Sequence, residues 1–73
     1  MNKIENIQEI GQMIRQQRRL QKMTQQELAG ICGVGVRFIR ELENGKESCH
    51  MNKVLHVLHF LGLELTIYKR GEL

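Results

Sequence analysis

Apolar residues recur along this chain at intervals of three and four, and near the C-terminus the interval changes to two. Ile7, Ile10 and Ile14 share one face, extended by Arg18, and predict a first helix over about 7–21. Gly11 lies beside that face, where a missing side chain permits another element to come close. Thr24 and Glu27 have the spacing of a capping box. The threonine hydroxyl can accept from the third amide of a new helix while the glutamate accepts from the threonine amide. Leu28, Ala29 and Cys32 then point inward at helical spacing, giving a second helix over 25–32, and Gly33 tolerates the positive φ that stops it. A third helix over 36–43 turns Ile39 and Leu42 inward and Arg37, Arg40 and Glu41 outward, and Asn44-Gly45 closes it.

A polar connector over 47–50 leads to a fourth helix over about 51–61. Its expected core face carries Met51, Val54, Leu55, Leu58 and Leu61. Val57 and Phe60 fall on nearly the opposite side, which a solvated helix would not usually carry, and so predict a contact between subunits. Beyond Gly62, Leu63, Leu65 and Ile67 alternate with Glu64, Thr66 and Tyr68, a period-two strand over about 63–69. One strand cannot stand alone. Pairing with its own copy across a two-fold axis would satisfy it and add Leu63, Leu65 and Ile67 to the dimer contact. The expected fold class is therefore all-α: one domain over 1–73, four helices, and a short C-terminal β-strand pairing across a homodimer.

The second and third helices carry the functional reading. Ala29 is small where two steeply crossed helices must touch, and the glycine turn between them permits a helix-turn-helix that presents its second helix to a DNA major groove. Reading DNA requires side chains at base edges and others fixing the phosphates. Val36 and Arg37 lie in the first turn of the third helix, with Arg40 and Glu41 one turn on. Arg37 is the candidate for a bidentate grip on guanine, which discriminates by about 1–3 kcal/mol, and Val36 could meet a thymine methyl. Arg40 could turn to bases or to phosphate. Glu41 could accept from cytosine or merely orient the arginines beside it. The plain alternative is that these charges are the solvated face of an amphipathic helix.

Counting Gln25 as the first position of a twenty-residue unit, Ala29, Gly33, Ile39 and Leu42 occupy its small, glycine and apolar positions. With the ending ENGK, the run resembles the XRE family of phage and bacterial repressors. The string GVGVRFIRELENGK, followed by an apolar helix and LGLELTIY, resembles the short HipB-type antitoxins within it, over about residues 7–68. The resemblance implies that Gln25, at the start of the second helix, and Asn44 and Lys46, after the third, contact DNA phosphates. It also implies that Arg18 and Glu43 form a structural ion pair, whose breaking costs about 3–5 kcal/mol where burial is deep. Gly35 stands where relatives carry serine or threonine. Glycine caps a helix only a few tenths of a kcal/mol less well, but leaves no more than its backbone for the phosphate side of the interface. Lys22 stands where relatives often have glycine, at a cost of about 1 kcal/mol if the turn demands positive φ. The implied partners are double-stranded DNA with an inverted-repeat operator, a second copy of the chain, and a HipA-type serine/threonine kinase toxin. The implied location is the bacterial cytoplasm, on the nucleoid. Two rivals remain open: a stand-alone Cro-like repressor without a toxin, and a protein-interaction module whose third helix is idle.

The chain has 73 residues, net charge +3 and no proline or tryptophan. A core this small is marginally stabilising by itself, so self-association is expected on size alone. The mild basicity fits a polyanionic partner without requiring one. No apolar run reaches the roughly 20 residues of a membrane span, and the acids among the first apolar positions argue against a secretory leader. Cys32 and Cys49 are expected to be reduced thiols. His56 and His59 are three apart with Cys49 and His50 upstream, but no acid or thiol shares their turn, so no metal is expected. No nucleophile elbow or phosphate-cradling glycine loop is present, and neither catalysis nor a cofactor is expected.

Overall fold

The computed structural model describes residues 3–72. Four helices follow one another: α1 (Ile7–Leu20), α2 (Gln25–Cys32), α3 (Val36–Glu43) and α4 (Met51–Phe60). The sequence explains where they start. Asn6 Oδ1 accepts from the Glu9 amide at 3.0 Å, which caps α1. At α2 the capping box is complete: Thr24 Oγ1 accepts from the Glu27 amide at 3.0 Å, and the Glu27 carboxylate accepts from the Thr24 amide at 2.9 Å.

All four helices stop in the same way. Lys22, Gly33, Gly45 and Gly62 have φ of 59°, 69°, 79° and 77°, and the chain reverses at each. The amide of the following residue then reaches back over the last turn. Met23 donates to the Arg18 carbonyl at 3.1 Å, Val34 to Ala29 at 3.0 Å, Lys46 to Glu41 at 3.0 Å and Leu63 to Leu58 at 2.9 Å. These are Schellman closures, which satisfy carbonyls the helix leaves unpaired. Met23, Val34 and Leu63 also lay their side chains on the core, the apolar contact that usually accompanies the motif.

Ile14, Leu28, Ala29, Cys32, Ile39, Leu42, Val54, Val57, Leu58 and Leu61 form the core. α3 packs against both α1 and α2, and α4 against α2. Gly11 is what lets α1 and α3 approach: a Cβ there would collide with the Leu42 carbonyl oxygen and lie 3.1 Å from that of Glu43. Two glutamines, Gln8 within α1 and Gln21 at its C-cap, bridge to other helix ends. Gln8 Nε2 donates to the Gly45 carbonyl at 3.2 Å, and Gln21 Nε2 to the Leu61 carbonyl at 3.0 Å.

Two expectations are corrected. α4 is rotated from its expected setting by roughly 50°, about half of the 100° step per residue. Val57 is completely buried, together with Val54, Leu58 and Leu61, while Met51 and Leu55 are 55% and 40% exposed. Val57 is thus a core residue of its own subunit and leaves the set available to a partner. The physical reason is that α4 is apolar over so much of its circumference that stripes starting at 51 and at 54 fit the sequence equally well. Second, the described residues contain no strand. Residues 63–69 run without regular structure in the isolated chain, since nothing in a single subunit offers a ladder to pair with. The helix ends differ by one residue from those expected, at Leu20 rather than 21 and Phe60 rather than 61.

Candidate nucleic-acid interface

α3 buries Ile39, Leu42 and Glu43 and turns its other side outward. Arg37 and Arg40 are exposed, the Arg37 side chain to 84%. Val36 is divided between the core, on which it is partly packed, and the surface. Gly35 is the N-cap, with φ −73° and ψ 148°, and no side-chain cap closes the helix. Those angles suit any residue, and a Cβ at Gly35 would meet nothing within 4 Å. Asn44 and Lys46 are exposed just past the other end of α3.

The position of α3 is fixed from behind by a buried network. Arg18 Nε donates to Glu43 Oε2 at 2.6 Å and Nη2 donates to Oε1 at 3.0 Å, a bidentate pair, and Arg18 Nη1 donates to the Met23 carbonyl at 2.7 Å. Arg18 and Glu43 are only 8% and 6% exposed. The hydrogen bond to Glu43 and its charge hold the Arg18 guanidinium above its ordinary pKa against the opposing effect of burial. Gln25 joins the same carboxylate, donating from Nε2 to Glu43 Oε1 at 3.1 Å. The spacing of the sequence gives no hint of that bond. The first residue of α2 is therefore tied to the last residue of α3.

On the outer side, Glu41 stands between two cations. Its Oε1 lies 3.4 Å from Arg37 Nε, and its Oε2 accepts from Lys46 Nζ at 2.5 Å. The hydrogen bond from Lys46 is the main reason that the Glu41 carboxyl sits below its ordinary pKa. The charges of Lys46 and Arg37 add to it, against partial desolvation. Arg40 and Asn44 make no ion pair within this group. Behind α3, Lys53 of α4 places its ammonium 5.7 Å from the centre of the Phe38 ring, a cation–π contact that the sequence pattern did not single out.

The other candidate residues lie elsewhere. Phe60 is 44% exposed, with the His56 and His59 rings edge-on to it at 4.8 and 5.7 Å between centroids. The two imidazoles thus dress an aromatic side chain, and the described residues hold no cluster of three or more metal-ligating groups. Leu63 rests on the core, Leu65 is 42% exposed and Ile67 88% exposed. Cys32 is buried and Cys49 half-buried, both as free thiols, and burial raises the pKa of each. No described helix is long and apolar enough to cross a membrane.

Two short helices joined at a left-handed glycine, with the second locked from behind and its cationic side exposed, define a helix-turn-helix DNA-binding module. The helix-turn-helix family HTH_3 matches residues 14–67, and the chain belongs to this XRE-type family of transcriptional regulators, which are not enzymes. An uncharacterized HTH-type transcriptional regulator of Sinorhizobium fredii, y4mF, is 47% identical over 64 residues, covering 88% of this chain and 84% of that protein. Among solved structures, a HipA–HipB–O2–O3 complex contains a chain that superposes with a TM-score of 0.86 at 22% identity, covering 97% of this chain and 100% of that one. A HipB–O4 20-mer complex superposes with a TM-score of 0.85 at the same identity and coverage. At that identity the likeness is one of fold.

Proposed function

We propose that this protein is a homodimeric, sequence-specific repressor that reads an inverted-repeat operator through α3. In this reading it acts in the bacterial cytoplasm as the antitoxin of a HipA-type kinase, whose operon it also represses. The observation that carries the DNA reading is the two-sidedness of α3: Arg37 and Arg40 are exposed in front, while Arg18, Glu43 and Gln25 clamp the helix behind. A reading helix must be rigid, because an error of an ångström misaligns a bidentate contact. Arg37, Arg40 and the exposed part of Val36 are the base readers. Asn44 and Lys46, with the backbone amides at Gln25 and Gly35, take the phosphates on either side.

The dimer reading is supported by the tail. Leu65 and Ile67 form an apolar row that its own subunit leaves partly uncovered, and the alternation of residues 63–69 is that of a strand lacking a neighbour. Two such tails paired antiparallel would bury the row and satisfy both ladders. Phe60 extends the contact. The toxin reading rests on the fold shared with the HipB chain of the HipA–HipB complex.

Selection of bound duplexes from a randomised pool tests the reading directly. The expected product is an inverted repeat with half-site centres about one helical turn, roughly 34 Å, apart. Arg37→Ala should relax the base preference at one position of each half-site by about 1–3 kcal/mol. A pool that shows no enrichment would remove the repressor reading. Co-purification of a kinase encoded beside this chain tests the antitoxin role, and its failure would leave a stand-alone repressor.

A further inference from the structure

The outer surface of α3 contains one acid, and its placement is unusual for a surface meant to meet a polyanion. Glu41 sits between Arg37, four residues before it, and Lys46, five residues after it, and its two oxygens are divided between them. Arg37 has been assigned to the bases and Lys46 to the phosphates, so a single carboxylate restrains both sets of contacts. We propose that Glu41 is a specificity-determining positioning residue, holding Lys46 away from indiscriminate phosphate contact while it fixes the Arg37 guanidinium for base recognition. This role rests on the DNA reading given above.

The two halves of the role follow from the geometry. Lys46 Nζ already gives one hydrogen bond to Glu41 in the free protein, so a phosphate meets it either in exchange for the carboxylate or with that carboxylate close by. On a random duplex that exchange brings no base contact in return, and the acid left near the phosphates is repelled by them. Arg37 is held through Nε, the inner nitrogen of its guanidinium, which leaves the two outer nitrogens free for the O6 and N7 of a guanine. On the correct sequence the carboxylate keeps this orientation after Lys46 has moved to phosphate, and the repulsion is offset by the contact Arg37 makes. Glu41 therefore opposes wrong sequences more than right ones.

The test compares wild type, Glu41→Gln, Glu41→Gln/Lys46→Gln and Glu72→Gln, which makes the same charge change far along the exposed tail. The probes are a random-sequence 30-base-pair duplex, at a length of roughly three helical turns, and the duplex that wild type selects from a randomised pool. Glu41→Gln is expected to bind the random duplex about five- to tenfold more tightly near 0.1 M salt. Its log affinity should fall with log salt by about 0.9 more than wild type, the increment of one further phosphate neutralised. Affinity for the selected duplex should change less, so the ratio between the two falls several-fold. The added salt dependence should vanish in the double variant and be absent from Glu72→Gln. A wild type that discriminates between the duplexes, with Glu41→Gln keeping the same ratio and salt slope, overturns the role of Glu41 alone. An increase equal in Glu41→Gln and Glu72→Gln also overturns it, since general charge would then suffice. A wild type that selects no sequence overturns the DNA reading and this role together.

Discussion

The side-chain amide of Gln25 donates to the buried carboxylate of Glu43 at 3.1 Å, joining the start of α2 to the end of α3. Glu43 is also the acceptor for both prongs of Arg18, so one acid fixes three helices relative to one another. Removing one partner from such a site leaves a buried charge without its complement. Glu43→Ala and Arg18→Ala should each lower unfolding free energy by about 3–5 kcal/mol. The double replacement Arg18→Met/Glu43→Leu should cost far less than the two single losses added together, because no charge remains stranded. Urea unfolding of the four proteins decides this, and additive losses would mean that the pair is not coupled. Gln25→Ala removes only a neutral donor to the carboxylate. It should cost about 1–3 kcal/mol, the range for hydrogen bonds to charged groups and for acceptors left short of a donor.

Lys22 ends α1 with φ of 59°, where the three later helices use glycine at the same step. A side chain in the left-handed region costs roughly 1–2 kcal/mol, offset in part by the greater chain entropy glycine brings to the unfolded state. Lys22→Gly should therefore raise stability by about 0.5–1 kcal/mol while leaving the Met23–Arg18 hydrogen bond in place. Thermal unfolding gives the sign. A loss of stability would show that the lysine side chain contributes something at this turn that outweighs its backbone strain.

Much of this fold was legible because local signals agreed with one another. The capping box at Thr24, the glycines at 33, 45 and 62 and the inward positions of α1 to α3 each state a backbone requirement in a residue type. Gly11 was legible for the same reason: only its lack of a side chain admits the α3 carbonyls. α4 was not legible in its rotation, since periodicity carries little information when most of a helix is apolar. The grip of Lys46 on Glu41 and the bond from Gln25 to Glu43 were hidden as well. Both depend on the direction in which long, flexible side chains turn, and separations of five residues from Glu41 to Lys46 and 18 from Gln25 to Glu43 say nothing of that. The strand pattern of 63–69 states what those residues could form with a partner rather than what they form alone.

Val57 and Phe60 separate packing within a subunit from contact between subunits. Val57 has no exposed surface and lies among Val54, Leu58 and Leu61, so Val57→Ala should destabilise each subunit by about 1–3 kcal/mol through lost burial and the cavity left behind. Phe60 is 44% exposed, and Phe60→Ala should have a smaller effect on a subunit but weaken self-association. Sedimentation at several concentrations, paired with urea unfolding, distinguishes the two. If Phe60→Ala leaves the association constant unchanged, the dimer contact lies elsewhere, and the exposed Leu65 and Ile67 of the tail become the residues to replace.

The ion pair of Glu41 with Lys46 should make one surface contact sensitive to acid. The hydrogen bond from Lys46, aided by the charges of Lys46 and Arg37, lowers the folded pKa of Glu41 below its ordinary value of 4.5. A carboxylate with a depressed folded pKa stabilises the fold above its unfolded value, and that contribution disappears as pH falls through the folded one. Wild type should thus exceed Glu41→Gln in stability at neutral pH by a small margin, as befits a pair open to solvent and screened by salt. The margin should close once pH drops well below 4.5. Carboxyl-carbon NMR of Glu41 gives the more direct measurement: its midpoint should lie under 4.5 in wild type and move upward in Lys46→Gln. A midpoint unaffected by that replacement would mean that Lys46 does not hold Glu41 in solution, and the ammonium would then be free to meet phosphate from the outset.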